Sequence, residues 1–122
     1  MFDRTKVGRF EIKGADPRTV FVYHAFNQED DLIIEGLFAE INRGEAAMGR
    51  ELYDPSAMKK KAQAQRAQMA GRMIHVENVT EPGDEVTDPA EIEALLLALP
   101  AEWFEVLRSS MRMGLALFEG KA

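Results

Sequence analysis

The sequence predicts an α+β fold, mainly α-helical, in which an N-terminal β-hairpin packs with about four helices and a short third strand could extend the sheet. Three observations predict it. Two extended runs rich in alternating or β-branched residues open the chain, helix-start signals follow at Asn27, Asp54 and Asp88, and Pro100 divides the long apolar run near the C-terminus. At 122 residues, 46% hydrophobic and 30% charged, the chain suits a single domain, 1–122, with a core of useful size.

In residues 7 to 14, "VGRFEIKG", Val7, Arg9, Glu11 and Lys13 alternate with Gly8, Phe10, Ile12 and Gly14, so the Phe10 and Ile12 side can face a core. Asp16 and Pro17 supply turn chemistry, and "TVFVYHAF", residues 19 to 26, reads as a strand buried on both faces. Asn27 with Asp30 approximates a capping box, and Glu29, Asp30 and Asp31 suit the positive end of a helix dipole. The helix that starts there carries Ile33, Ile34, Leu37, Phe38 and Ile41 as its apolar stripe and is expected to end at Asn42, Arg43 and Gly44. "RGEAAMGREL" then reads as a loop with a helical turn at most, because Gly44 and Gly49 interrupt it.

Asp54 before Pro55 opens a second helix, which runs to about Arg72 in good helix formers. Its stripe of Met58, Ala62, Met69 and Met73 is thin, with Gln65 interrupting it, so the helix must lean on something else. "RMIHVENV", residues 72 to 79, sets Ile74 and Val76 opposite His75 and Glu77 and is the candidate third strand; "TEPGDEV" reads as a turn or exposed loop. Asp88, Pro89 and Glu91 combine a cap, a first-position proline and a capping-box acid. From there Ile92, Leu95, Leu96 and Leu99 point inward, and after Pro100 a last helix carries Trp103, Phe104, Leu107, Met111, Leu115 and Phe118, with Gly120 as terminator.

Composition excludes several classes. The chain has no cysteine, hence no disulfide or thiolate metal site. Its N-terminus lacks the roughly 7 to 15 apolar residues of a signal peptide, and no stretch approaches the roughly 18 of a membrane span, so the expected location is the cytoplasm. The net charge of −6 is segregated: Lys59, Lys60, Lys61, Arg66 and Arg72 fall in an acid-free stretch, while the segment from Glu77 to Leu107 has acids and no Lys or Arg. The two blocks could pair within one molecule or between neighbours. His24 and His75 fall in strands with no residue at a recognised ligand spacing, Ser56, Ser109 and Ser110 lack a nucleophile turn, and "EPGDEVTDPAE" lacks the alternating ligands of a calcium loop. No catalytic residue, cofactor site or metal site is therefore expected, and the chain does not read as an enzyme.

The candidate contact residues are apolar. Methionines repack against varied partners, which singles out Met58, Met69 and Met73 in and just after the basic helix; Leu96, Trp103 and Phe104 belong to "ALLLALPAEWFEVL", which has more apolar side chain than one helical face can hide, and Met111 follows them on the last helix as a further contact candidate. Lys59, Lys60, Lys61 and Arg66 are the charge-pairing candidates. The same cations make a small nucleic-acid-binding regulator acting through helix 55–72 the alternative reading, although no aromatic accompanies them for base stacking and nucleic acid is not the expected partner.

The order of elements resembles that of the tail assembly chaperones of long-tailed bacteriophages. The resemblance is carried by a "V-x-x-V" segment at Val76 and Val79, the acidic turn at Gly83 and Asp84, and an "I-x-x-L-L-x-x-L-P" helix at Ile92, Leu95, Leu96, Leu99 and Pro100, followed by a closing helix. It spans about the last fifty residues and, more loosely, the first forty; "AQAQRAQMAGR" in the middle matches no pattern of that family. The resemblance implies a non-enzymatic protein that coats a helical tape measure protein, helps tail tube subunits polymerise around it and often self-associates. A structural component of the virion is a related alternative.

Overall fold

A computed structural model describes residues 7–12, 18–50 and 54–113 of the chain. The element order is β1 (Val7–Glu11), β2 (Val20–His24), α1 (Gln28–Ala47), α2 (Pro55–Arg72), β3 (Met73–Glu77), β4 (Glu85–Val86), α3 (Pro89–Ala98) and α4 (Ala101–Met113). The sheet is an antiparallel meander in the order β1-β2-β3-β4, so the expected hairpin and third strand are joined by a two-residue fourth strand inside what the sequence presents as an exposed turn. An α1–α2 helical hairpin is inserted between the neighbouring strands β2 and β3.

Register explains the two faces of the sheet. Phe10 pairs with Phe21, Phe21 with Val76 and Val76 with Val86, which lays an apolar row across all four strands. This face receives Met69 and Ala70 from α2, Ile92 and Leu96 from α3, and Leu107 and Met111 from α4 to form the core. Trp103 meets the Phe10 ring edge-on at 6.0 Å between centroids, the geometry favoured by the ring quadrupoles. The opposite face places Arg9, Val22 and His75 in one row and Glu11, Val20, Glu77 and Glu85 in the next. The register slips between Val22 and Tyr23, where Tyr23 pairs with Met73 and Ile74 is passed over.

All three capped helices start where the sequence signals them. Asn27 accepts the Asp30 amide at 3.0 Å while Asp30 accepts the Asn27 amide at 2.8 Å, a complete capping box. Asp54 caps α2 through the Ser56 amide and Asp88 caps α3 through the Glu91 amide. Leu99 closes α3 with its amide on Leu96, and Pro100 accepts the Phe104 amide as α4 begins. Leu115, Phe118 and Gly120, expected to finish the last helix, lie outside the described residues.

Helix α1 departs from expectation twice. It does not stop at Gly44 but continues to Ala47, and Gly49 terminates it with φ of +76°. The Gly49 amide reaches Ala46 and the Arg50 amide reaches Glu45; this paired pattern satisfies the last carbonyls and requires a left-handed residue, which glycine adopts without a Cβ clash. Its apolar stripe is also only half buried. Ile34 and the half-buried Phe38 and Ile41 turn inward with Asp30 and Glu45, whereas Ile33 and Leu37 are 50% and 39% exposed and Leu32 is 67% exposed. Helix α1 packs chiefly on α2, whose facing surface of small and cationic side chains accommodates one narrow row. The face of α2 differs as well: Ala57, Met69 and Ala70 are its buried residues and Met58 points to solvent, 56% exposed.

Candidate functional site

The sheet face opposite the core brings together the only group of three metal-capable side chains that converges among the described residues: His75, Glu77 and Glu85, with ligand atoms all within 4.8 Å of one another. The alternation of β3 puts His75 and Glu77 on one side, and Glu85 stands directly opposite Glu77 in the register. Two carboxylates opposed across a strand pair repel, and here Arg9 and His75 both engage one of the two, Glu77. Glu77 receives His75 Nε2 on Oε2 at 2.7 Å and Arg9 Nη2 on Oε1 at 3.0 Å. The His75 hydrogen bond first, and the Arg9 guanidinium second, hold the Glu77 carboxyl below its ordinary range. With both Glu77 oxygens engaged, a metal would have to displace the guanidinium. The donor set therefore does not fit a metal site in this arrangement, and it covers Val20 and Val22, which are buried beneath it. The spacing of "HVE" held this signal; the cross-strand partner Glu85 emerges only once β4 is known.

No activated nucleophile is present among the described serines with a visible partner. Ser110 donates to the Val106 carbonyl within its own helix. Ser56 donates to Glu45 Oε1 at 3.2 Å, but that carboxylate is no base. Glu45 is fully buried and also receives Lys60 Nζ at 2.7 Å and Arg50 Nη1 at 3.0 Å. Lys60 most, then Arg50, hold its pKa down to about 2 against the cost of burial.

Glu45 is instead one of two clamps on the α1–α2 hairpin. At the far end Arg72 donates to Asp30 through Nε and Nη2, and Gln68 donates to the Asp30 carbonyl at 2.6 Å. Between the clamps Lys61 lies 5.6 Å from the Phe38 ring centroid. The basic stretch thus pairs with the acids of α1; among the described residues none of its cations pairs with the acidic segment 77–107. Lys59 and Arg66 have no ion-pair partner there.

The acidic turn that carries part of the family resemblance is structural in this chain. Asp84 accepts the amides of Val79, Thr80 and Glu81 at 2.8, 3.0 and 3.2 Å. Burial pushes its carboxyl up, and the backbone donors outweigh burial and leave it below the ordinary value.

The apolar candidates divide. Met69, Leu96 and Met111 are fully enclosed by this chain and offer nothing to a partner; Met73, Trp103 and Phe104 are half buried against the core. Met58 remains on the surface. Among the described residues the exposed large apolar side chains are Leu32, Ile33, Leu37, Met48, Met58, Leu97 and Val106, most of them residues that a stripe count assigns to the interior or passes over. Leu97 borders an open groove of about 650 Å3 between α2 and α3, lined by Ala64, Ala67, Ala90 and Ala94 and flanked by Arg66 and Glu93. No helix among the described residues is long and apolar enough to cross a membrane. No protein-family model, curated protein or solved structure matches the chain.

Proposed function

We propose that the protein is a non-enzymatic binding and assembly protein of the tail assembly chaperone type, sheltering a long apolar helical partner such as a tape measure protein while tail tube subunits assemble around it. The α2–α3 groove carries this reading. Four alanines line it beside Gln63, so a third helix can approach the backbones closely there; Leu97, 64% exposed, offers an apolar anchor, and Arg66 and Glu93 offer one charge of each sign to fix orientation. The resemblance of residues 76–100 to that family supports the same reading. Lys60 and Arg72 are bound to carboxylates and Lys61 stands over a ring, which weakens the nucleic-acid alternative.

Co-expression tests the proposal. With a tape measure protein, the intact chain is expected to keep the helical partner in the soluble fraction, and Leu97→Glu is expected to abolish that effect while leaving the chain folded. A partner that stays insoluble beside the intact chain, or that Leu97→Glu solubilises equally well, contradicts it.

A further inference from the structure

The outer face of α1 has the pattern of a helix that meets its own copy. Successive helical residues turn by about 100°, and Glu29, Leu32, Ile33, Gly36, Leu37, Ala39, Glu40 and Arg43 accordingly fall on one side, all of them exposed. Asp30, Phe38 and Glu45 fall on the other and engage Arg72, Lys61 and Lys60 of α2, and Ile34 is buried on that side. Leu32, Ile33 and Leu37 are three large apolar side chains in water within two turns of helix. Gly36 lies among them. A Cβ there would meet nothing within 4 Å, so packing within the chain does not require glycine at a position where alanine makes the better helix. Glycine does allow the backbone of another helix to come close.

The charges on this face say which helix. Glu29 and Arg43 stand seven residues before and seven residues after Gly36, two helical turns in either direction. About 21 Å apart along the axis, they cannot pair with each other, and neither has an ion-pair partner among the described residues. Turned end for end about Gly36, an identical helix brings Arg43 to Glu29 at one end and Glu29 to Arg43 at the other, with the leucines and Ile33 between. This self-complementarity is what a two-fold interface requires.

We propose that α1 pairs with α1 of a second copy of this chain, antiparallel about a two-fold axis at Gly36, with Glu29 of each copy set against Arg43 of the other. The surface shares no residue with the α2–α3 groove, so failure of either proposal leaves the other intact.

Size-exclusion chromatography with light scattering on the full chain tests it, across concentrations up to about 1 mM to reach weak association. The intact chain is expected to show a concentration-dependent dimer. Glu29→Arg and Arg43→Glu are each expected to weaken the dimer roughly tenfold or more by opposing like charges, with circular dichroism unchanged. The double variant Glu29→Arg/Arg43→Glu is expected to restore it, because the pairs are re-formed with their signs reversed. A chain that stays monomeric throughout overturns the proposal. Single variants that dimerise like the intact chain, or a double variant that is not rescued, overturn it equally.

Discussion

Glu45 shows how much one side chain can organise. It sits near the C-terminal end of α1, where the helix dipole disfavours an anion, yet Lys60, Arg50 and Ser56 all converge on it in the interior. Because its folded pKa, about 2, lies below the ordinary 4.5, its ionisation stabilises the fold fully above pH 4.5 and progressively less as pH falls toward about 2. Glu45→Gln is expected to lower the melting temperature at neutral pH more than an exposed control such as Glu35→Gln, and to flatten the loss of stability in that acid window. Thermal unfolding followed by circular dichroism at a series of pH values measures both. Within "RGEAAMGREL" only Arg50 is a partner; Ser56 and Lys60 come from α2 and are brought to Glu45 by the antiparallel packing of α1 and α2, which the stretch itself does not announce. A core position behaves differently. Leu96 is legible from the spacing of Ile92, Leu95, Leu96 and Leu99, and it is 1% exposed. Leu96→Ala is expected to cost about 2–5 kcal/mol in denaturant unfolding.

At the scale of elements, the start of each helix was readable and the end of α1 was not. Caps at Asn27, Asp54 and Asp88 act through atoms two or three residues away, so sequence contains them whole. Asp88→Ala is expected to destabilise the chain by about 1 kcal/mol. Two glycines competed to end α1, and the choice rests on backbone conformation: Gly49 has a positive φ and Gly44 does not. Gly44→Ala should therefore stabilise the monomer by up to about 1 kcal/mol, since a Cβ meets nothing there, whereas Gly49→Ala should destabilise it by about 1 kcal/mol or more. Opposite signs for these two substitutions in urea unfolding check the assignment. The third strand was visible in the alternation of β3, but the two residues of β4 are too few to carry a period and become a strand only through Val76.

Across the whole molecule, apolar side chains separate into those the core encloses and those it leaves outside, and the division follows which helices touch the sheet. Parts of α2, α3 and α4 reach the Phe10–Phe21–Val76–Val86 row and bury Met69, Leu96, Leu107 and Met111. Helix α1 reaches α2 instead, which is why half of a stripe that the sequence assigns to the interior stands in water. Sequence periodicity reports that a helix has an apolar side; it does not report how wide a surface is available to receive it. Two faces are left for other chains on this account, the outer side of α1 and the α2–α3 groove, and they answer to different substitutions. The affinity of the chain for a labelled, heptad-patterned helix, measured by fluorescence anisotropy, separates them most directly. The account predicts saturable binding that Leu97→Glu weakens at least about tenfold, the scale of one lost anchor in an interface, and that Glu29→Arg leaves unchanged. Binding that ignores Leu97→Glu, or no binding at all by the intact chain, would contradict it.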